Sequence, residues 1–402
     1  MSDLLWPGDQ RCGDLFSDGA VLAALVRVES AWLHALVRHG IAPADADTDL
    51  AKLAGPDDLD RLAANAEAGG NPVIPLVALL RDRAGPAGEW IHRGLTSQDV
   101  LDTGLAMCLG ETVTRLRADI AGQVAALTRL AATHRDTPMA GRTLTQHAVP
   151  ITFGVKVAGW LTGVLDARER LDVPLGARLG GAVGTLAAPA ALAGSAQGAL
   201  ELVATTAGSL GLAPRARSWT AIADAFAGCT DAWGHIANDV LVASRPEIGE
   251  LSEGWAATGA WSSGRRGEPG IRRGGSSTMP QKQNPVLSVL IRRAALAGPP
   301  LAATLHAAAA ATVDERPDGA WHAEWATLRT LARRTVVAAA QTTDLLAGLR
   351  VHPDRMAATL AAARPGIDAE QQRFTGRTGE PYRGATDALI DAALARAAEA
   401  GR

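Results

Sequence analysis

The chain has 402 residues, of which 47% are hydrophobic, 20% charged and 4% aromatic. Its 39 basic and 42 acidic residues give a formal net charge of −3. A chain of this length can bury a large core, and its composition excludes a disordered protein or a collagen-like repeat. Because the charges nearly balance, no field of one sign exists to hold nucleic acid or an anionic membrane, so neither is expected as a partner.

The cysteines indicate the compartment. Cys12, Cys108 and Cys229 are odd in number and far apart, which favours free thiols packed in a core over a disulfide framework or a zinc cluster. Acidic residues near the start, beginning with Asp3, are not typical of a signal peptide. We therefore predict a cytoplasmic protein.

Helical spacing dominates the chain. Apolar residues three or four apart over 99–134 predict one continuous helix about 45 Å long. Further helices are predicted, in chain order, over 20–40, 56–68, 152–171, 187–210, 219–244, 284–313 and 325–349. We predict an all-α fold in which the long helices form a bundle, and rods of this length often continue across a subunit boundary.

Three domains are predicted from this pattern. Residues 1–92 form an N-terminal helical domain, 93–341 a central bundle of long helices, and 342–402 a short C-terminal domain of short helices and loops. The apolar run 296–313 is rich in alanine and is broken by two prolines, so it predicts a buried helix and not a membrane span.

Residues 264–275 depart from the helical pattern, since they combine five glycines with four arginines. This composition predicts a loop. Two interpretations stay open: a solvated surface loop, or a cationic lid that closes over an anionic substrate.

Three segments reveal a resemblance. Residues 275–285, GSSTMPQKQNP, resemble the signature Gly-Ser-Ser-x-Met-Pro-x-Lys-x-Asn-Pro of the fumarase/aspartase superfamily at every fixed position. Residues 92–99, HRGLTSQD, and 141–150, GRTLTQHAVP, resemble two other blocks of that superfamily in the same order. The resemblance implies a three-domain, all-α subunit with a long central helix bundle. It also implies a homotetramer whose active sites are shared between subunits, and no metal or organic cofactor.

The resemblance also implies roles for residues. Ser276 is the catalytic base, and Lys282 stabilises its alkoxide and the charge that develops on the substrate. The implied substrate-binding residues are His92, Arg93, Thr96, Ser97, Arg142, Thr143, Gln146, Ser277, Asn284 and Arg316. Thr96 and Ser97 could also simply cap a helix, and His92 could be a buried histidine without a part in the reaction.

Leu144 marks a departure within the superfamily. Its relatives that expel an amine read Gly-Arg-Thr-His, and that histidine is a proposed general acid. An amine leaving group needs a proton, whereas a carboxylate leaves as a stable anion, so Leu144 points to an anionic leaving group. His147 is expected on a neighbouring helical face and does not replace the acid. We expect Leu144 to line an apolar wall.

Two more segments resemble the bacterial 3-carboxy-cis,cis-muconate cycloisomerase branch, namely 179–185 and 314–325. That resemblance implies a small tricarboxylate substrate and lactonisation to 4-carboxymuconolactone in the protocatechuate branch of the β-ketoadipate pathway. Arg316 or His322 is then expected to contact the third carboxylate. Alternatives stay open: a nitrosuccinate lyase-like elimination, an adenylosuccinate lyase-like C–N lyase, and a helical scaffold without activity.

Overall fold

The computed structural model of the chain describes residues 3–214, 218–254, 274–275, 278–279, 282–378 and 383–401. These residues are mostly helical, in agreement with the predicted all-α class. The helices are α1 (Asp18–Arg38), α2 (Leu59–Gly69), α3 (Val73–Arg83), α4 (Ser97–Thr133), α5 (Phe153–Arg170), α6 (Ala187–Ala193), α7 (Ala196–Ser209), α8 (Thr220–Ala243), α9 (Val286–Ala310), α10 (Gly319–Gly348), α11 (Pro353–Thr375) and α12 (Thr386–Ala400). The strands are β1 (Pro138–Thr143), β2 (Gln146–Thr152), β3 (Leu251–Glu253) and β4 (Leu349–Val351).

The long predicted helix is confirmed as α4, which has 37 residues. Residues 187–210 form two helices and not one, because Gly194 ends α6 in the left-handed region at φ 72°. Helix α3 follows the turn at 69–72 and was not predicted. The expectation of short helices at the C-terminus is wrong, since α11 has 23 residues and α12 has 15.

The chain divides into two compact units, each assembled from three segments. The first unit comprises Met1–Arg115, Asp172–Asp224 and Pro300–Arg334. The second comprises Leu116–Leu171, Ala225–Pro299 and Thr335–Arg402. Residues 92–99 therefore belong to the first unit, and residues 141–150 and 274–285 to the second.

The core of the first unit holds the segment that precedes α4. Trp32 of α1 is fully buried, and its indole N–H donates to the backbone carbonyl of Arg93 at 2.9 Å. Losing a buried side chain of this size costs about 3 to 5 kcal/mol. Trp32 thus packs in the core and also holds the backbone of residues 92–99 in place.

A buried polar link joins three long helices of the second unit. The indole N–H of Trp233 on α8 donates to the Gln123 side-chain carbonyl on α4 at 2.8 Å. The amide of Gln123 donates in turn to the Ala339 carbonyl of α10 at 3.0 Å. Because buried polar groups need partners, this link fixes the register of the three helices.

The hairpin β1–β2 carries residues 141–150 in the second unit. Its two strands pair antiparallel, and the turn residues Leu144 and Thr145 both have positive φ, 47° and 71°. Helix α11 packs on β1, with Leu360 and Ile367 against Ala140. The expectation that His147 lies on a helical face is wrong, because a strand with period two carries it.

Helix α9 differs from the buried helix that was expected over residues 296–313. It continues through Pro299 and Pro300, which both lie on its exposed side, where water can bind the carbonyls that the prolines leave free. It is amphipathic and not buried throughout. By length and composition α1 and α9 could each cross a membrane, a test that core helices of soluble proteins also pass.

The cysteines lie where the sequence predicts. Cys12, Cys108 and Cys229 are buried, and none of the three forms a disulfide. Burial raises the pKa of Cys108 to about 12, so this thiol stays protonated and inert at neutral pH.

Candidate active site

The segment 92–99 leads into the N-terminus of α4. The Thr96 N–H donates to Asp99 Oδ2 at 3.0 Å, and the Asp99 N–H donates to the Thr96 carbonyl at 3.0 Å. Neither the Thr96 nor the Ser97 hydroxyl bonds to another residue within the described ranges. Both hydroxyls therefore lie beside the N-terminus of α4 and are able to bind an anion.

Asp99 is fully buried and ties three segments together. Besides Thr96 it accepts hydrogen bonds from the backbone N–H groups of Gly180 at 2.9 Å and Gly181 at 3.0 Å. Arg316 donates to it at 3.0 Å. Burial raises the pKa of Asp99, and the hydrogen bonds and the Arg316 charge oppose that rise. The start of α4 is thereby fixed to the segments 179–185 and 314–325.

Arg316 is bound within the first unit. Its Nε donates to the Ala182 carbonyl at 3.1 Å, and Nη2 donates to the Gly181 carbonyl as well as to Asp99. This gives the segment around Arg316 a physical role that the sequence does not reveal. Contact between Arg316 and a substrate stays a prediction.

His92 is paired with a glutamate that sequence reasoning missed. His92 Nδ1 lies 2.6 Å from Glu29 Oε1, and the Glu29 side chain is fully buried on α1. His92 has φ 60°, an uncommon conformation for a residue with a side chain. The pair fixes the imidazole ring so that Nε2 is the nitrogen left for another partner. Arg93 is exposed and stacks 4.3 Å from the Trp90 ring centre.

A second acidic cluster lies further along α4, around Asp102. The Trp321 indole N–H donates to Asp102 at 2.8 Å, and Arg178 lies 3.4 Å from the same carboxylate. Burial raises the pKa of nearby Glu324 to about 7, with Arg178 opposing the rise and Asp102 adding to it.

His322, in the same segment, is held on both sides. One ring nitrogen contacts the Asp318 carbonyl at 3.0 Å and the other the Gly70 carbonyl at 2.9 Å. Within the described residues, both candidates for a third carboxylate contact, His322 and Arg316, thus already have protein partners.

Arg142 lies on β1 and forms a bidentate ion pair with Glu250. Its Nη1 and Nη2 donate to the two Glu250 oxygens at 2.9 and 2.7 Å, and the Glu250 side chain is fully buried. The neighbouring Thr143 and Gln146 are exposed. All three stay predicted substrate contacts.

The expectation that Leu144 lines an apolar wall is wrong within this chain. Leu144 is 95% exposed and lies at the hairpin turn, where its φ is 47°. His147 is also exposed.

The signature segment is only partly described. Ser276 and Ser277, and residues 264–273 of the predicted loop, lie outside the described residues. Lys282 is exposed, and its backbone N–H donates to the Met279 carbonyl at 3.0 Å. The predicted serine base therefore stays a prediction.

Gly274 and Asn284 join the two ends of this segment. The backbone and side-chain N–H groups of Asn284 both donate to the Gly274 carbonyl, at 2.8 and 3.1 Å. Gly274 has φ 78°, and a Cβ there would stand 2.4 Å from the Asn284 carbonyl oxygen, so only glycine fits. Asn284 thus has a structural role, and its predicted contact with a substrate carboxylate would use the second N–H of its side-chain amide.

Glu253 caps the helix that follows the signature. Its carboxylate accepts from the Leu287 N–H at 3.0 Å and from the Ser288 N–H and hydroxyl, each at 2.7 Å. A carboxylate at a helix N-terminus also interacts favourably with the helix dipole. The missed residues Glu29, Glu250 and Glu253 lie outside the three blocks, and their spacing in sequence gives no signal that would identify their partners.

Comparisons with known proteins agree with these blocks. Residues 71–297 match the model of a protein family described as lyase. A nitrosuccinate lyase from Streptomyces davaonensis is 44% identical over 86% of this chain and 73% of its own length. A 3-carboxy-cis,cis-muconate cycloisomerase from Pseudomonas aeruginosa is 37% identical over 89% of this chain and 77% of its own.

A solved structure extends the agreement to the fold. The 3-carboxy-cis,cis-muconate lactonizing enzyme from Pseudomonas putida matches with a TM-score of 0.79 at 26% identity, over 97% of each chain. The match spans the segments that carry all three blocks. The chain therefore belongs to the fumarase/aspartase superfamily of lyases.

Proposed function

We propose that the chain eliminates an anionic leaving group from a small carboxylate substrate, with nitrosuccinate as the substrate and nitrite as the leaving group. The observation that carries the proposal is Leu144. Where amine-expelling relatives have a histidine, this chain places an alkyl side chain on an exposed turn. Such a side chain cannot donate a proton, which favours a leaving group that departs as an anion.

The proposed reaction needs one base and several fixed positive groups. Ser276 takes the proton from the carbon next to one carboxylate, and the electron pair of that C–H bond forms the double bond as the C–N bond breaks. Nitrite leaves with the electrons of the C–N bond, and an unsaturated four-carbon dicarboxylate remains. Lys282 lowers the energy of the transition state because negative charge on the substrate carboxylate is greatest there.

The first unit supports a substrate with two carboxylates. Arg316 and His322, the residues expected to hold a third carboxylate, have protein partners instead. Binding a third carboxylate at His322 would require one of its ring contacts to break, and Arg316 would have only Nη1 to offer, because its Nε and Nη2 donate to protein acceptors. The 44% identity to a nitrosuccinate lyase supports the same choice.

A second candidate is lactonisation of 3-carboxy-cis,cis-muconate. The similarity to the Pseudomonas putida lactonizing enzyme over 97% of each chain favours it. In that reaction a substrate carboxylate adds across a conjugated double bond, and Ser276 delivers the proton to carbon. Leu144 is equally compatible with this chemistry, because no amine departs.

One pair of assays separates the candidates. Purified protein is mixed with nitrosuccinate, and nitrite is measured by its diazo colour. In parallel, loss of the diene absorbance of carboxymuconate is followed. Nitrite release without diene loss supports the proposal, and diene loss alone supports the second candidate. If neither signal is observed, both candidate functions are refuted. Ser276→Ala should abolish the observed turnover and keep the circular dichroism spectrum, whereas a scaffold without activity would show no turnover even as wild type.

We further propose a cytoplasmic homotetramer whose sites combine residues of different subunits. Helix α9 supports this assembly, because Val289 and Leu296 on it are 51% and 69% exposed in the single chain. Light scattering after gel filtration measures the mass. Mixing Ser276→Ala protein with Arg142→Ala protein should restore part of the activity if subunits share sites, and no recovery in mixed tetramers would refute the sharing.

A further inference from the structure

The ion pair between Arg142 and Glu250 is more constrained than a surface salt bridge. Both guanidinium Nη atoms donate to the carboxylate, at 2.9 and 2.7 Å. The Glu250 side chain is fully buried and the Arg142 side chain is 19% exposed. A planar pair of this kind fixes the orientation of the guanidinium as well as its position.

The backbone around Glu250 cannot shift easily. The Glu250 N–H donates to the Ala243 carbonyl at 2.9 Å, and the Glu250 carbonyl accepts from the His352 N–H at 3.0 Å. Directly afterwards β3 pairs with β4, and Ser252 Oγ lies 2.8 Å from His352 Nε2. The carboxylate is therefore held by a rigid element of the second unit.

Arg142 keeps one guanidinium edge open. A guanidinium has five N–H donors, and Glu250 occupies the edge between the two Nη atoms. Among the described residues, none accepts from Nε. The edge formed by Nε and one Nη can therefore receive a second planar carboxylate with two parallel hydrogen bonds.

We propose that Glu250 is a positioning residue that aims the open edge of Arg142 at a substrate carboxylate. The inference rests on the proposed function for the class of substrate, a small dicarboxylate. Without Glu250 the long arginine side chain would sample several rotamers, and binding would have to select one of them. Glu250 also lowers the net charge of the pair, so its benefit comes from orientation and not from attraction.

The test measures KM and kcat for nitrosuccinate, and the dissociation constant of fumarate by calorimetry. Glu250→Gln keeps the shape but loses one acceptor and the charge. We expect it to raise KM and the fumarate dissociation constant about tenfold and to change kcat less than about threefold, because the contact is equally strong in ground and transition states. Glu250→Asp keeps the charge and should fall between wild type and Glu250→Gln.

A double-mutant cycle separates positioning from a purely structural role. Arg142→Lys keeps a charge but loses the planar fork. If Glu250 acts through Arg142, the double variant Glu250→Gln/Arg142→Lys binds fumarate within about twofold of Arg142→Lys alone. Additive losses in folded proteins would overturn the inference. If Glu250→Gln does not fold, Glu250→Asp carries the test, and wild-type affinity in that variant would likewise overturn it.

The chain offers a matched control. Asp58 forms an equivalent bidentate ion pair with Arg83, with N–H···O hydrogen bonds of 2.7 and 2.8 Å, and both residues lie outside the three blocks. Asp58→Asn should leave KM and fumarate affinity within about twofold of wild type.

Failure of the inference can be told from failure of the proposed function. Wild-type protein that binds fumarate but releases no nitrite refutes the function and still allows the fumarate measurements on the variants. Nitrite release with unchanged KM in folded Glu250→Gln refutes the inference alone. Wild-type protein that binds no fumarate refutes the inference as well.

Discussion

Glu324 should make the stability of the protein depend on pH in a way that one substitution removes. Burial raises the pKa of this carboxyl from 4.5 to about 7. The folded protein therefore keeps a proton on Glu324 at pH values where the unfolded chain has lost it. As pH rises from about 4.5 to about 7, this group lowers the free energy of unfolding, and above pH 7 the loss is complete.

The magnitude follows from the shift. One pKa unit corresponds to about 1.4 kcal/mol, so the full shift corresponds to about 3 kcal/mol. Because Glu324 is only partly buried, solvent screening reduces this to about 2 kcal/mol. Glu324→Gln should therefore match the wild type in stability near pH 5 and exceed it by about 2 kcal/mol at pH 8.

The assay is urea unfolding at pH 5 and pH 8, at one protein concentration because association contributes to stability. Glu67→Gln is the control, since Glu67 is an exposed carboxylate on α2. It should change the free energy of unfolding by less than about 0.5 kcal/mol at either pH. An equal effect of Glu324→Gln at both pH values, or a less stable variant at pH 8, would refute the reasoning.

Three other substitutions have definite expected outcomes. Asp99→Asn should lower the free energy of unfolding by about 3 kcal/mol or more in thermal denaturation, because it leaves Arg316 without its buried counter-charge; a loss under about 1 kcal/mol would show that the Asp99 contacts are dispensable. Trp233→Phe should cost about 1 to 3 kcal/mol, because the Gln123 oxygen loses its donor, and unchanged urea unfolding would contradict the proposed helix link. Leu144→His should neither speed turnover nor change stability by more than about 0.5 kcal/mol, since the side chain is exposed and no amine departs; a clear rate increase would contradict the anionic leaving group.

Helical period and fixed motifs allowed much of the fold to be predicted. The stripe over 99–134 predicts α4 because a long helix repeats its apolar face many times. The hairpin at 138–152 was missed, since two short strands with a left-handed turn at Leu144 and Thr145 carry neither glycine nor asparagine there. The split between α6 and α7 depends on one glycine, which a periodicity of apolar residues cannot reveal.

The candidate site was predictable only for residues inside the motifs. Glu250 lies 108 positions from Arg142, and Glu29 lies 63 positions from His92. Such pairs arise from tertiary packing, and neither glutamate is distinguished locally from an ordinary surface acid. Only the packed structure shows that Glu250 and Glu29 are buried and paired.

The double hydrogen bond between Asn284 and the Gly274 carbonyl has a consequence for how such enzymes diversify. It ties Gly274 and Asn284 together through atoms of these two residues alone, so the start of α9 does not depend on which side chains occupy the variable signature positions 278, 281 and 283. Substitutions at those three positions should therefore alter substrate preference without requiring compensating changes in α9.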